Sequence, residues 1–198
     1  IATSKSGTIK LDGKQVSNKN AQDSIKNGFA LLTEERRATG IFGILNIREN
    51  TVISSLKRHK KGFYLSEKSM KEDTQKYIDA LRTKTPSQET KIRALSGGNQ
   101  QKVLMAKWLA AGVDILILDE PTRGIDIGTK TEIQKLVLDL ADQGMAVAFI
   151  SSEVEEMLRT CSRMAVLRDG EKVGELEESE LSQSNIMKAI AGGDDKNE

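Results

Sequence analysis

The sequence predicts an α/β fold in which a mainly parallel sheet is flanked by helices and carries an inserted helical subdomain. Two mainly apolar runs, Val113–Leu118, in which Asp114 is the one polar residue, and Met145–Ile150, are typical of buried strands. Between them, Thr129–Gln143 has the apolar spacing of an amphipathic helix, so the three segments predict a parallel βαβ unit. The insertion is predicted by residues 34–95, which contain helical stretches and no convincing strand.

The first part of the chain, residues 1–33, alternates strand and helix signals. Ser6–Gly13 is an alternating run that continues into Asp12-Gly13-Lys14, a sequence that favours a hairpin turn. Asn20–Gly28 has the apolar spacing and terminal glycine of a helix, and Phe29–Leu32 is typical of a short buried strand. We therefore assign residues 1–33 to the α/β core.

Residues 34–95 form the predicted helical subdomain, with helices at about Arg48–Arg58 and Ser66–Arg82. Within it, the basic segment Lys57–Lys61 allows two interpretations, contact with lipid head groups or a solvated loop, and the solvated loop is favoured. The lone histidine, His59, has no Cys or His partner at metal-ligand spacing, so no metal site is assigned to it.

Residues 96–198 complete the predicted core. Gly98–Ala111 is a helix that directs Trp108 into the core, and the mainly apolar run Val113–Leu118 predicts a strand buried on both faces. Met145–Ile150 predicts a second buried strand, after which Ser152 and Glu155 have the spacing of a capping box.

The C-terminal part of the chain closes the predicted fold. Asp169-Gly170 predicts a hairpin between Arg163–Arg168 and Glu171–Leu176 that closes the sheet. A final helix is expected from about Asn185 to Ala191, followed by a polar, frayed tail at Asp194–Glu198.

Composition excludes several classes of function. Lys+Arg 30 against Asp+Glu 29 leaves a net charge of +1, so the chain has no bulk electrostatic attraction to nucleic acid. A single cysteine, Cys161, excludes a disulfide framework and a Cys-ligated zinc site, and it suits a reducing cytosol. The apolar runs are far shorter than the roughly 20 residues that span a bilayer.

Two carboxylates follow the first buried strand directly, in Ile115-Leu116-Ile117-Leu118-Asp119-Glu120. Open α/β sheets bind ligands at the carboxyl ends of their parallel strands. There Asp119 is a candidate ligand for Mg²⁺, and Glu120 is a candidate for orienting the water that attacks a phosphoryl group. Taken alone, the pair also fits a strand that runs into an acidic surface loop.

A second candidate site precedes the helix at Gly98–Ala111, in Leu95-Ser96-Gly97-Gly98-Asn99-Gln100-Gln101-Lys102. The two glycines leave backbone N–H groups accessible, and the N-terminal end of a helix favours an anion. The arrangement fits a phosphate oxygen, although a Ser N-cap with flexible glycines would have the same local sequence.

These motifs carry a resemblance that covers nearly the whole chain. LSGGNQQK and ILILDEPTRGID resemble the signature loop, Walker B strand and D-loop of ABC transporter nucleotide-binding domains. LSGGNQQK with DEPTRGIDIGTK and FISSE is similar to the C-terminal ATPase domain of tandem-domain sugar importers. GFYLSEKSM and KTPSQETKIRALSGGNQQK are most similar to the galactose or methylgalactoside type.

The resemblance implies a P-loop NTPase-like ABC ATPase domain that is N-terminally incomplete. A Walker A loop needs G-x-x-x-x-G-K-[ST], and the only Gly-Lys pair here, Gly13-Lys14, is followed by Gln15 in a predicted hairpin turn. Because the family's P-loop lies upstream of the position that matches Ile1, we expect the chain to begin after it.

Two departures from the family pattern lie in the predicted site. Glu34, in LLTEERR, stands where most members have the Q-loop Gln, and an ionised Glu only accepts hydrogen bonds. Ser152, in FISSE, stands where the switch His usually lies, and a hydroxyl cannot act as a phosphate-contacting cation. Both departures imply an impaired ATP site.

In ABC dimers, each ATP lies between one domain's Walker motifs and the partner's signature loop. The resemblance therefore implies that Ser96, Gly97, Gly98 and Asn99 complete the site of the N-terminal ATPase domain of the same polypeptide. Asp126 matches the D-loop, which links the two sites. The impaired site is implied to be lined by Glu34, Asp119, Glu120 and Ser152.

The resemblance also implies cofactors and partners. These are ATP and Mg²⁺, membrane permease subunits and, indirectly, a sugar-binding protein, with the chain at the cytoplasmic face of the cell membrane. Ile41–Ile47 is the candidate permease contact, unless it is subdomain core. Two alternatives to this function remain. One is a non-hydrolysing module that supplies its signature loop in trans. The other is a soluble ABC-type ATPase of repair or translation, and the near-neutral charge argues against this second alternative.

Overall fold

The computed structural model describes residues 7–191, so the predicted tail at Asp194–Glu198 lies outside the described residues. It begins with the predicted hairpin, β1 (Ile9–Leu11) and β2 (Lys14–Val16), whose turn residues Asp12 and Gly13 have positive φ values. Asn20 caps helix α1 (Ala21–Lys26) by accepting a hydrogen bond from the backbone of Asp23. Strand β3 (Phe29–Leu32) follows at its predicted position.

The segment predicted to be a helical subdomain contains two α-helices, α2 (Ile47–Val52) and α3 (Glu67–Ala80). The helix predicted to reach about Arg58 ends at Val52, and a separate 3-10 turn follows at Leu56–His59. It also contains two short strands, β4 (Lys60–Lys61) and β5 (Tyr64–Leu65), which pair as an antiparallel hairpin. The expectation of no strand here was therefore wrong. Two-residue strands are too short to produce the alternation by which strands are recognised in a sequence.

The parallel βαβ unit is confirmed. Helix α4 (Gly97–Ala111) ends at the left-handed Gly112 and leads into β6 (Ile115–Asp119). Helix α5 (Ile127–Asp142) then crosses to β7 (Ala146–Ile150), which pairs parallel with β6. Strand β3 pairs parallel with the other side of β6, so the strand order is β3-β6-β7.

The C-terminal part contains a short helix, a hairpin and a final helix. Their bounds are α6 (Val154–Thr160), β8 (Arg163–Arg168), β9 (Glu171–Glu177) and α7 (Gln183–Ala191). The hairpin was expected to close the parallel sheet, and this expectation was wrong. Strands β8 and β9 form a separate two-stranded sheet among the described residues. Its inward side chains, Met164 and Val166, pack instead in a separate cluster with Ile186 of α7.

The parallel sheet has one buried and one open face, so the expectation that its strands are buried on both faces was wrong. Leu32, Leu116, Leu118 and Phe149 lie on the buried face, with most of the other core residues. The open face carries Leu31 and Ile150, each 49% exposed. An apolar run cannot indicate how many of its faces are covered, because both faces then contain the same residue types.

The predicted packing of Trp108 is confirmed. Trp108 is partly buried against the main core, as expected. A second cluster around Ile47, Ile92 and Val103 packs the segment before α4 against that helix. His59 is buried and contacts Ser69 and Asp73, and no group of three potential metal ligands occurs within residues 7–191. None of the described helices has both the length and the hydropathy needed to cross a membrane.

Candidate functional site

The predicted signature loop, called the signature loop below, lies at the N-terminus of α4, with Ser96 as the N-cap residue. The exposed Ser96 Oγ accepts hydrogen bonds from the backbone N of Asn99 at 3.5 Å and from its Nδ2 at 2.9 Å. The Asn99 Oδ1 atom accepts a third bond, from the backbone N of Lys84 at 2.8 Å. The Asn99 side chain is thus bound within the chain and holds the loop in place, while the Ser96 hydroxyl remains at the surface.

Both glycines of the signature loop have close neighbours. A Cβ atom at Gly98 would lie 2.1 Å from Cγ2 of Thr129, and a Cβ atom at Gly97 would lie 2.8 Å from Nη2 of Arg36. Carbon atoms in contact normally stay about 3.5–4.0 Å apart. The loop is therefore packed from behind by α5 and by the segment that follows β3.

The D-loop is joined to the signature loop through Thr129. Asp126 is the N-cap of α5 and accepts from the backbone N of Thr129 at 3.0 Å and from its Oγ1 at 2.8 Å. The hydrogen bond from the Thr129 backbone is the main cause that lowers the pKa of Asp126 below its ordinary value. The same threonine thus binds Asp126 with its hydroxyl and contacts Gly98 with its methyl group.

The two carboxylates after β6 occupy different environments. Asp119 is half-buried in β6, in register with Ile150 on the open face of the sheet. Glu120 has a φ of 45°, a left-handed conformation uncommon for residues other than glycine, and its N–H donates to the Ile150 carbonyl at 2.9 Å. Backbone strain of this kind is often found at functional sites.

Ser152 does not form the predicted capping box. The N-cap of α6 is Glu153, which makes no side-chain cap bond, while the neighbouring Ser151 Oγ accepts from the Glu153 backbone N at 3.0 Å. The Ser152 backbone N–H instead donates to Oε1 of Glu120 at 2.8 Å. The helix begins one residue later than the spacing indicated, because this bond holds Ser152 in the preceding loop.

Glu34 lies in a small cavity of about 230 Å³ beside three arginines, Arg36, Arg37 and Arg123. Its carboxylate forms an ion pair with Arg123 of the D-loop segment. Arg36 is half-buried, and this burial is the main cause that lowers the pKa of its guanidinium. The Q-loop position is therefore tied to the D-loop segment by charge.

A buried network that the motifs did not indicate lies behind these residues. Glu156 is 3% exposed, and its Oε2 accepts from Thr122 Oγ1 at 2.6 Å and from Ser151 Oγ at 3.2 Å. Its Oε1 lies 3.2 Å from Nζ of Lys130, which also donates to Glu153. This network fixes the segments after β6 and β7 relative to α5.

The predicted site residues thus fall into two groups. One holds the signature loop and Asp126, and the other holds Asp119, Glu120 and Ser152. Residues 123–124 connect the two groups, because the Arg123 backbone N donates to the Glu120 carbonyl at 3.1 Å and the Gly124 carbonyl lies 3.6 Å from a Cβ placed at Gly97. Glu34 belongs to neither group and is held by the Arg123 side chain. A larger cavity of about 450 Å³ lies near the opposite ends of β6 and β7, beside Asp114 and Met145, and it contains none of the predicted residues.

The chain is similar to a known protein family and to curated proteins. The family model described as ABC transporter matches residues 1–123. The galactose/methyl galactoside import ATP-binding protein MglA of Fusobacterium nucleatum is 49% identical over 188 residues, which are 94% of this chain and 38% of the relative. MglA of Haemophilus influenzae is 49% identical over 186 residues, 93% of this chain and 37% of the relative. The chain therefore spans less than two fifths of the length of these curated relatives.

Solved structures share the fold at low sequence identity. A nucleotide-free ATP-binding cassette from an ABC transporter aligns with a TM-score of 0.77 and 18% identity, over 98% of this chain and 76% of that chain. A dimeric ATP-binding cassette in a post-hydrolysis state, bound to ADP and phosphate, aligns with a TM-score of 0.72 and 20% identity. That alignment covers 88% of this chain and 74% of the solved one.

Proposed function

The chain belongs to the ABC transporter family, and we propose that it is an ATPase domain that energises the import of a monosaccharide. Its similarity to proteins named as galactose/methyl galactoside import ATP-binding proteins supports a sugar of that type. In this proposal the chain acts as part of a longer polypeptide, whose other ATPase domain provides the partner surface. It then lies at the cytoplasmic face of the cell membrane, held there by the permease.

One observation carries the proposal, the exposed and rigidly supported N-terminus of α4. The backbone N–H groups after Ser96 and its hydroxyl are donors, and the positive end of a helix dipole favours an anion there. Thr129 and Arg36 hold Gly98 and Gly97 from behind. The loop therefore presents a preformed surface to the phosphates of a nucleotide bound by the other ATPase domain.

The second site, formed by the chain's own Walker B residues, is proposed to hydrolyse ATP poorly. Glu120 accepts a hydrogen bond from the Ser152 backbone, and Glu34 is paired with Arg123. Both carboxylates are thus bound within the chain, and the switch position has no imidazole. Asp119 and Glu120 would still contact nucleotide at this edge of the sheet.

Asp119 fits a role in holding Mg²⁺ together with a nucleotide. Mg²⁺ usually binds one or two carboxylates, with phosphate oxygens and waters completing its shell. Within residues 7–191 no cluster of three potential ligands exists, which suits an ion brought by a nucleotide rather than a resident metal. When bound, the ion would supply charge stabilisation for phosphoryl transfer, and Asp119 would orient it directly or through water.

The permease contact is proposed to use only part of the predicted apolar segment. Phe42 and Ile44 are exposed, at 47% and 73%, whereas Ile47 is fully buried. Ile47 therefore belongs to the subdomain core, and the two exposed side chains are free to pack on a partner. Alanine at Phe42 and Ile44 should reduce sugar uptake and leave basal ATPase unchanged. Unchanged uptake would contradict this contact.

The asymmetry of the two sites is tested by ATPase measurements on the full-length polypeptide. Ser96→Arg or Gly97→Asp should abolish most activity, because a bulky or acidic side chain would meet the nucleotide phosphates. Glu120→Gln should have a smaller effect, because it alters only the impaired site. Lys135→Gln, an exposed substitution on α5, serves as the control. Equal losses from Ser96→Arg and Glu120→Gln would overturn the asymmetric proposal.

A further inference from the structure

The β4–β5 hairpin projects from a firmly fixed base. Its turn contains Gly62, with a φ of 61°, and Phe63. At the base, the backbone N of Ser66 donates to the His59 carbonyl at 2.9 Å, and the buried His59 ring contacts Ser69 Oγ at 2.9 Å. Arg58 donates to the Ala110 carbonyl at the end of α4. The base of the hairpin is thus bound to its neighbours, while Phe63 at the tip is fully exposed.

The tip combines exposed apolar and basic side chains. Phe63 is fully exposed, and Tyr64 and Leu65 are 66% and 44% exposed. Lys57, Lys60 and Lys61 are exposed as well and form no ion pair within the described part of the chain.

The charge of this tip is uncompensated. Residues 54–66 contain no Asp or Glu. Two carboxylates of the following helix have other cationic neighbours, because Asp73 lies 3.6 Å from the His59 ring and Glu67 lies 4.0 Å from Lys71. The tip therefore has a local positive charge that the overall charge of +1 does not reveal.

We propose that this hairpin tip, residues 57–65, binds the surface of a bilayer that contains anionic phospholipid. Aromatic and aliphatic side chains insert at the boundary of head groups and acyl chains, while lysines keep their ammonium groups at the phosphates. A second copy of the chain is a poor occupant, because two such tips would bring like charges together. Nucleic acid would satisfy the lysines but leave Leu65 without an apolar environment.

The proposal goes beyond energising import, because it assigns a direct lipid contact to the chain in addition to any contact with a permease. Binding of vesicles needs no nucleotide. A failure to bind lipid would therefore leave the proposed ATPase function untouched.

The test is sedimentation of the chain with vesicles of phosphatidylcholine, alone or with about 30 mol% phosphatidylserine. We expect binding to the anionic vesicles and little to the neutral ones. The double variant Lys60→Gln/Lys61→Gln should weaken partitioning by roughly 25-fold, at about fivefold per lysine. Phe63→Ser should weaken it by about tenfold or more, because an apolar ring no longer inserts.

A matched control is Lys26→Gln/Lys135→Gln, which changes the net charge equally at exposed positions on α1 and α5. It should bind as the unchanged chain does. In a separate variant, Phe63→Trp, the fluorescence of the introduced tryptophan should be quenched by brominated lipid in anionic vesicles. The proposal is overturned if the unchanged chain ignores anionic vesicles, if the control loses as much binding as the tip variants, or if brominated lipid does not quench Phe63→Trp. It is also overturned if Phe63→Ser abolishes self-association of the chain and leaves vesicle binding intact.

Discussion

The contact between Gly98 and Thr129 makes a quantitative prediction about stability. In Gly98→Ala, the new methyl group would lie 2.1 Å from Cγ2 of Thr129, so the atoms must separate by more than 1 Å. Thr129 cannot rotate freely, because its Oγ1 donates to Asp126 at 2.8 Å. Overpacking of this kind typically costs about 1–3 kcal/mol, offset by up to about 1 kcal/mol from the higher helix propensity of alanine.

We therefore expect Gly98→Ala to lower the free energy of unfolding by about 1–2 kcal/mol. For a chain of this size that is a fall of roughly 2–8 °C in the melting temperature, measured by far-ultraviolet circular dichroism. Thr129→Ser is the matched background, because it deletes the clashing methyl group and keeps the hydroxyl that binds Asp126. In that background Gly98→Ala should be nearly neutral, and an equal loss in both backgrounds would refute the reasoning.

Two further predictions concern side chains whose roles differ from those the sequence indicated. Ser151→Ala should destabilise the chain by about 1 kcal/mol, because the Ser151 hydroxyl bonds the Glu153 backbone and Glu156. Ser152→Ala should change thermal unfolding little. The reverse order of the two effects would support the predicted capping box instead. Glu132 binds the buried Lys102 at 2.7 Å, and this bond lowers the pKa of Glu132. Its contribution is present above its unfolded pKa, near pH 4.3, and is lost as pH falls through the lower folded pKa. Between about pH 5 and pH 3, the free energy of unfolding of Glu132→Gln should therefore vary less with pH than that of the unchanged chain. The difference should be about 1 kcal/mol or less, because Glu132 is half exposed. Identical pH profiles of the two chains would contradict this prediction.

The strands and helices of the core were predictable because their signals are local. Ile115–Leu118, directly before Asp119, has no polar residue, and Gly112 and Gly144 mark the ends of α4 and α5 with positive φ values. The signature loop could be predicted for the same reason, because its serine and glycines lie next to one another in the sequence. Such features depend on neighbours in the sequence, which a single chain displays.

The rest depends on contacts between distant segments. Thr129 follows the D-loop motif as an ordinary helix residue, and only the packing of α5 on α4 brings its methyl group to Gly98. Glu156 lies in the first turn of α6, where acidic residues are usually solvated, and its burial comes from Thr122 and Lys130. Arg36 and Arg123 likewise gain their partners only through the tertiary fold.

The open face of the parallel sheet brings exposed apolar side chains together with a carboxylate. Leu31 and Ile150 on the open face, together with β3 and β7 as the sheet edges among the described residues, are features that promote self-association when left uncovered. Asp119 lies on the same face, so any element that shields those apolar side chains also packs beside this carboxylate. Covering this face would therefore bury the apolar side chains and enclose the Asp119 carboxylate in one event.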